Sequence, residues 1–315
     1  MENSHSNREH HMSRRGFFAR SGLIGAGAAV TGVIGRESAS RAAVPSPREI
    51  LPECMKYRKL DSHNHINLSD YQSDPSLIVE SADLLGIEKV AISIPHGKSP
   101  EEFRASNDKI LAAMRRYPDR ILGQCYISPG FPREALEEIN RCIGEGMVML
   151  GELYTDYKIN DPVYYPIIER CIDLKIPLLM HAISIVGLLR EGIHYDVPST
   201  TTIADDMIDV GNRYPEAMLI HAHIFGGGDW EYNCKILKDA PPSIYSDTSG
   251  SQSDEGMVDL ALKYINEDKL IFGTDMNFET GVGKVLSAKL TENQRKKIFF
   301  ENFNNLLRKA GNHVD

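Results

Sequence analysis

The sequence is poor in several features, and each shortage closes off a class of protein. Basic side chains are outnumbered, 35 Lys and Arg against 44 Asp and Glu, for a formal net charge of −9. Residues 1–42 hold six of the basic and three of the acidic ones, so the remainder is more acidic still, 29 against 41. Affinity for a phosphate backbone comes from clustered Lys and Arg, so nucleic acid is not an expected partner. The five cysteines (Cys54, Cys125, Cys142, Cys171, Cys234) are odd in number and form no C-x-x-C pair. That argues against a disulfide framework and reads as buried thiols acting as small hydrophobes. No Gly-rich phosphate fingerprint follows the first apolar run, which weakens an open, doubly wound sheet. The early apolar stretch Gly22–Ile34 falls short of the roughly 20 residues that a membrane-spanning helix needs.

What the N-terminus does contain is an address. Ser13-Arg14-Arg15-Gly16-Phe17-Phe18 resembles a twin-arginine export signal, and Ser40-Arg41-Ala42 offers small residues where a signal peptidase reads. Residues 1–42 are therefore expected to be a cleaved twin-arginine signal peptide, 43–57 an N-terminal extension, and 58–315 the folded domain. No Cys ends the apolar run, so no lipid anchor and no lasting membrane attachment are expected. The resemblance implies passage through the twin-arginine export machinery, in a folded state, to a periplasmic or other extracytoplasmic location. His5, His10 and His11 lie in the part to be discarded.

From Lys59 onward one pattern recurs: a short apolar run, a polar turn, then an amphipathic stretch. The apolar runs are 59–65, 87–94, 120–127, 147–152, 176–181, 217–223, 243–247 and 269–275. Between them lie helix-like stretches, several opened by a proline at the first turn (Pro100, Pro132, Pro162). Gly86 and Gly144 follow two of these stretches, where a left-handed stop is expected. Strand alternating with helix gives a parallel sheet, and eight repeats in this length match a (β/α)8 barrel. Nothing marks a linker or a second domain.

In such a barrel the C-terminal strand ends share one mouth. The first run ends in Asp61-Ser62-His63-Asn64-His65, and alternation puts Asp61, His63 and His65 on one face. Later runs end in Glu152, His181, His223 and Asp275. Alternation likewise aligns Val148 and Leu150 with Glu152, Leu179 with His181, Leu219 and His221 with His223, and Ile271 and Gly273 with Asp275. Imidazoles and carboxylates are what a divalent ion binds, so these ends form a candidate metal site.

The chain resembles the amidohydrolase superfamily, in its amidohydrolase-related (amidohydrolase 2) branch. The resemblance rests on Asp61 to His65, Tyr117-Pro118-Asp119-Arg120, Ile176 to His181, His223 with Gly226-Gly227-Gly228, Phe272-Gly273-Thr274-Asp275, and Asn302 to Leu307. It implies a divalent metal, expected to be zinc, held by His63, His65, His181 and Asp275. It also implies catalytic roles for His223, as base or polariser, and for Asp275, which would orient a metal-activated water or take its proton. His221 is expected as a supporting group beneath His223. Glu152, within Gly151-Glu152-Leu153-Tyr154-Thr155-Asp156-Tyr157, is similar to a glutamate that bridges two ions in TatD-like nucleases. Its role as ligand or orienting carboxylate stays open, and so does one ion against two.

The expected activity is metal-dependent hydrolysis of a C–N or C–O bond in a small molecule. Metal-dependent decarboxylation or hydration of a small carboxylated substrate is the alternative, because the branch includes lyases on the same ligands. A non-catalytic binding barrel is the competing class, but it would be expected to have lost ligands. His96, Lys98, Arg190, His194 and Tyr195 are candidates for an anionic substrate group. Trp230 is read as either a lid or packing, and self-association into a homo-oligomer is left open.

Overall fold

The eight apolar runs become eight strands: β1 Leu60–His65, β2 Lys89–Ser93, β3 Ile121–Cys125, β4 Met149–Leu153, β5 Leu178–Met180, β6 Leu219–His221, β7 Ile244–Asp247 and β8 Leu270–Ile271. Each pairs in parallel with the next, in sequence order. Two backbone bonds fasten the last strand's continuation to the first: Ser62 N donates to Phe272 O at 3.0 Å, and Asp275 N to His63 O at 2.8 Å. The architecture is the expected (β/α)8 barrel. The computed structural model describes residues 52–66, 74–154, 156–184, 199–226 and 229–315. The signal peptide at 1–42, its cleavage site, the first part of the 43–57 extension, Gly227, Gly228, Arg190, His194 and Tyr195 lie outside the described residues.

Between the strands run α1 Pro75–Leu84, α2 Pro100–Arg116, α3 Pro132–Gly144, α4 Tyr165–Leu174, α5 Ala204–Arg213, α6 Trp230–Ile236, α7 Met257–Tyr264 and α8 Phe278–Ser287. The chain closes with α9 Glu292–Lys296, one π-helical turn, and α10 Asn302–Arg308. In α2 the start is written in the sequence: Ser99 caps the Glu102 amide, Pro100 opens the first turn, and Glu101 and Glu102 face the positive end of the helix dipole. Gly86 takes the left-handed conformation expected of it, φ 64°, whereas Gly144 stays in its helix and Gly146 makes the turn at φ 100°. Among the described residues no helix is long and apolar enough to cross a membrane. All five cysteines are buried and unpaired, as expected.

Two apolar layers sandwich the strands. The outer one joins Val90, Ile92, Leu150, Leu153, Leu178, Met180 and Leu219 to the helices. The inner one fills the barrel with Leu60, Ala91, Leu122, Met149, Leu179, Ile220 and Ile271, and continues into Phe303, Leu306 and Leu307 of α10. Each of the larger side chains here, fully buried, contributes about 1.5–3 kcal/mol before the entropy of ordering it.

Strand alternation is broken where the site is built. The β1–β2 register shifts between Asp61 and Asn64, so Asp61 does not share a face with His63 and His65. Asp61 pairs with Val90 on the outer side, and His65 pairs with Ser93 on the inner side. The β4–β5 register shifts between Leu150 and Leu153. Leu150 therefore packs outward, and Glu152 is not on its face. In β6 His221 pairs with Met180 and sits with Leu219 on the helix side. His223 reaches the interior only because its own backbone is left-handed, φ 57°. Bulges of this kind re-aim one side chain at the cost of one ladder position.

Candidate metal centre

Glu152 is the hub, and its carboxylate is fully buried. Oε2 faces β1: His65 Nε2 lies at 3.1 Å and His63 Nε2 at 3.4 Å. Oε1 faces the opposite wall, with His223 Nε2 at 2.7 Å and His181 Nδ1 at 2.9 Å. Asp275 Oδ1 completes the first group, 3.5 Å from His65 Nε2 and 3.8 Å from His63 Nε2. Its Oδ2 lies 3.6 Å from His223 Nδ1. The structure thus brings together all six expected residues, in two sets. His63, His65 and Asp275 form one cluster of ligand atoms and His63, Glu152 and His223 another, each within 4.8 Å, while His181 joins through Glu152 Oε1.

The donor set suits a cation. His63 Nδ1 is 2.6 Å from Asp247 Oδ2, so the ring proton sits there and a neutral His63 presents a lone pair at Nε2. That lone pair faces His65 Nε2 at 3.1 Å and the carboxylates of Glu152 and Asp275. Carboxylates buried this deeply need positive charge beside them, from protonated imidazoles or from a bound cation. A divalent ion with bonds of about 2.1 Å sets neighbouring ligand atoms roughly 3.0–3.5 Å apart, close to the spacing found. Burial would push the Glu152 carboxyl up, but His223, His63 and His181 together hold it well below the usual range. Burial opposes the charged form of His63 and His223, yet Glu152 in both cases, with Asp247 beside His63, raises them.

The site opens to solvent on one side. Asp275 keeps 27% of its side chain exposed, whereas His63 and Glu152 are sealed. Beside the opening, Tyr154 stacks on His181 with centroids 4.3 Å apart, and His96 packs edge-on against Tyr154 at 4.3 Å. Burial lowers the His96 pKa, helped by His65. Lys98 is exposed on the same loop. His221 is a correction to the sequence reading: its Nδ1 donates to Ala222 O at 2.8 Å, its Nε2 has no partner among the described residues, and burial pushes its pKa down to about 4. It stands behind the strand, not beneath His223. Trp230 packs on Phe225 and donates to Asp254 at 2.9 Å, which makes it packing.

Two residues at the site were not anticipated, Asp247 and Ser249. Asp247 ends the seventh apolar run as Asp275 ends the eighth, and that position was the available signal. Ser249, two residues on, had none.

A parallel barrel whose strand ends converge on buried imidazoles and carboxylates defines a class of mouth-active barrel enzymes. The chain belongs to the amidohydrolase family (Amidohydro_2), whose model matches residues 64–308. It is similar to 2-amino-3-carboxymuconate-6-semialdehyde decarboxylase of Dictyostelium discoideum, 23% identical over 214 residues. That match covers 59% of this chain and 58% of the relative, less than two thirds of its length. Among solved structures it resembles 2,6-dihydroxybenzoate decarboxylase from Rhizobium, with TM-score 0.63 and 18% identity over 81% of this chain and 99% of that one. A dihydroxybenzoic acid decarboxylase from Polaromonas, holding manganese and the inhibitor 2-nitroresorcinol, gives TM-score 0.62 at 17% identity over 80% and 97%.

Proposed function

We propose that the protein is a metal-dependent lyase that removes CO2, without oxidation, from a small carboxylated substrate. This replaces hydrolysis, the first expectation from sequence, because the relatives' names favour the alternative. The observation that carries the reading is Asp275, the solvent-facing member of an otherwise buried ligand set. Among the described ligand candidates it is the most exposed, so a substrate can approach on that side. His63, His65, His181, Asp275 and Glu152 would hold the ion, zinc being the first candidate and manganese the second. The ion's chemistry is that of a Lewis acid, polarising the substrate oxygens that face it.

The remaining work falls to side chains. His181, backed by the Tyr154 ring, walls the mouth. His223 stands beside Asp275, Nδ1 to Oδ2 at 3.6 Å, and would supply the proton that takes the place of the lost carboxyl group. The bond between carbon and carboxylate breaks, CO2 leaves, and the electron pair left behind takes that proton.

One observation favours a second reading. The two oxygens of Glu152 serve separate pairs of imidazoles, as a bridge between two ions would, and two ions suit hydrolysis. The mature protein, starting at residue 43, should be assayed on aromatic and unsaturated carboxylates for CO2 release and on amides and lactones for hydrolysis, with and without chelator. CO2 release that chelator abolishes, with one ion per chain, supports the lyase. Hydrolysis with two ions and no CO2 release overturns it. We also propose that residues 1–42 export the enzyme by the twin-arginine route; replacing Arg14 and Arg15 with Lys should leave it in the cytoplasmic fraction.

A further inference from the structure

Asp247 and Ser249 are bound to two rings from different strands. The wholly buried Asp247 carboxylate receives His63 Nδ1 on Oδ2 at 2.6 Å. Its Oδ1 accepts the His223 amide at 3.0 Å, the Ser249 amide at 3.0 Å and the Ser249 hydroxyl at 2.5 Å. Ser249 Oγ, its proton committed to Asp247, lies 3.0 Å from His223 Nδ1 and 3.3 Å from His63 Nδ1. A hydroxyl that donates to a carboxylate can only accept from the ring, so His223 carries its proton on Nδ1.

We propose that Asp247 and Ser249 are positioning residues that set the tautomer of His63 and His223 together. Each ring is thereby made to turn an unprotonated Nε2 toward Glu152. A carboxylate on the far nitrogen of a metal-binding imidazole fixes ring orientation and raises its basicity. Here one carboxylate does so directly for His63 on β1 and, through one hydroxyl, holds the proton-bearing His223 ring in the turn after β6. Lys284 steadies the segment: its ammonium donates to Gly250 O at 2.6 Å, one residue past Ser249. The inference rests on the metal reading.

The test uses the mature protein, zinc affinity by chelator competition, and nitrogen-15 shifts of labelled histidines, which separate a protonated from an unprotonated ring nitrogen. In the zinc-loaded wild type both His63 and His223 should carry the proton on Nδ1. Asp247→Asn points an amide N–H at His63, favours the wrong tautomer, and should weaken zinc binding about 10- to 100-fold. Ser249→Ala should disturb the His223 signal alone, and Ser249→Thr should restore it. A merely structural role would lower the melting temperature without moving these shifts. If Asp247→Asn binds zinc as tightly as wild type, or Ser249→Ala leaves His223 unchanged, the inference falls while the metal site stands. If Asp247→Asn does not fold, His63 protonated on Nε2 in the wild type overturns it. Wild-type protein that takes up no divalent ion overturns the metal reading and this inference together.

Discussion

Asp275 donates its backbone amide to the carbonyl of His63 at 2.8 Å, so the candidate ligand that follows the last strand is fastened to one on the first. Asp61 reinforces the seam from the outer side. Its Oδ1 accepts the amides of His63 at 3.1 Å and Thr274 at 3.0 Å, and its Oδ2 accepts Asn64 Nδ2 at 3.1 Å and the Thr274 hydroxyl at 2.5 Å. Asp61→Ala would strand at least two buried amides, each costing about 1–3 kcal/mol. Urea denaturation should show a loss of roughly 2–6 kcal/mol, and a loss well below that range would mean that water replaces the carboxylate.

A cation held by the native site but not by the unfolded chain stabilises the fold by mass action, about 2.7 kcal/mol at a hundred times its dissociation constant. For a domain of this size that is roughly 5–10 °C in melting temperature. Chelator should lower the midpoint by that amount, and added zinc should restore it. His65→Ala, which removes a ligand while leaving the Asp61 seam in place, should abolish the chelator effect; a scan in which both proteins respond alike would contradict the ligand assignment.

Gly151 permits the turn that aims Glu152. Its φ is 122°, and a Cβ there would lie 2.3 Å from Leu179 O and 2.9 Å from Leu179 Cβ. Gly151→Ala must push β4 away from β5, at about 2–4 kcal/mol for the clash and the backbone strain. Metal uptake should fall with it, because Glu152 follows directly. A variant that binds zinc normally would show that Glu152 is not a ligand.

These cases mark where reading the sequence succeeds and where it stops. The strand–helix alternation was legible because it is periodic, and with it the convergence of His63, His65, Glu152, His181, His223 and Asp275 on one mouth. Face assignment was not. Counting by twos put Asp61 with His63, Leu150 with Glu152 and His221 with His223, and all three pairings fail at a bulge or a left-handed residue. Such irregularities carry little sequence signature: His223 has φ 57° with nothing nearby to announce it, since its amide donates a hydrogen bond to Asp247, a partner 24 residues on. Asp247 was in plain sight at a strand end. Ser249 became meaningful only once the two rings beside it were placed.

Lys59 makes stability depend on pH. Its ammonium is buried at the foot of β1, donates to the carbonyls of Cys54 and Tyr57, and lies 5.3 Å from the centre of the Phe299 ring. Burial lowers its pKa from the ordinary 10.5 to about 8, against the pull of Cys54 and Glu88. Below about 8 both native and unfolded chains keep the proton, and the cost of the buried charge is constant. Between about 8 and 10.5 the unfolded chain holds a proton that the native one has shed, so stability contributed by this group rises with pH. Buried Tyr126 and Tyr164, whose pKa values burial raises, act in the opposite sense once pH nears about 10, where unfolded tyrosine ionises, and mask part of the effect in the wild type alone. The difference between wild type and Lys59→Met cancels them. From about pH 8 to about pH 10 wild type should gain about 1–2 kcal/mol on the variant in urea denaturation. A difference that stays flat, or shrinks, would place the Lys59 charge in contact with water.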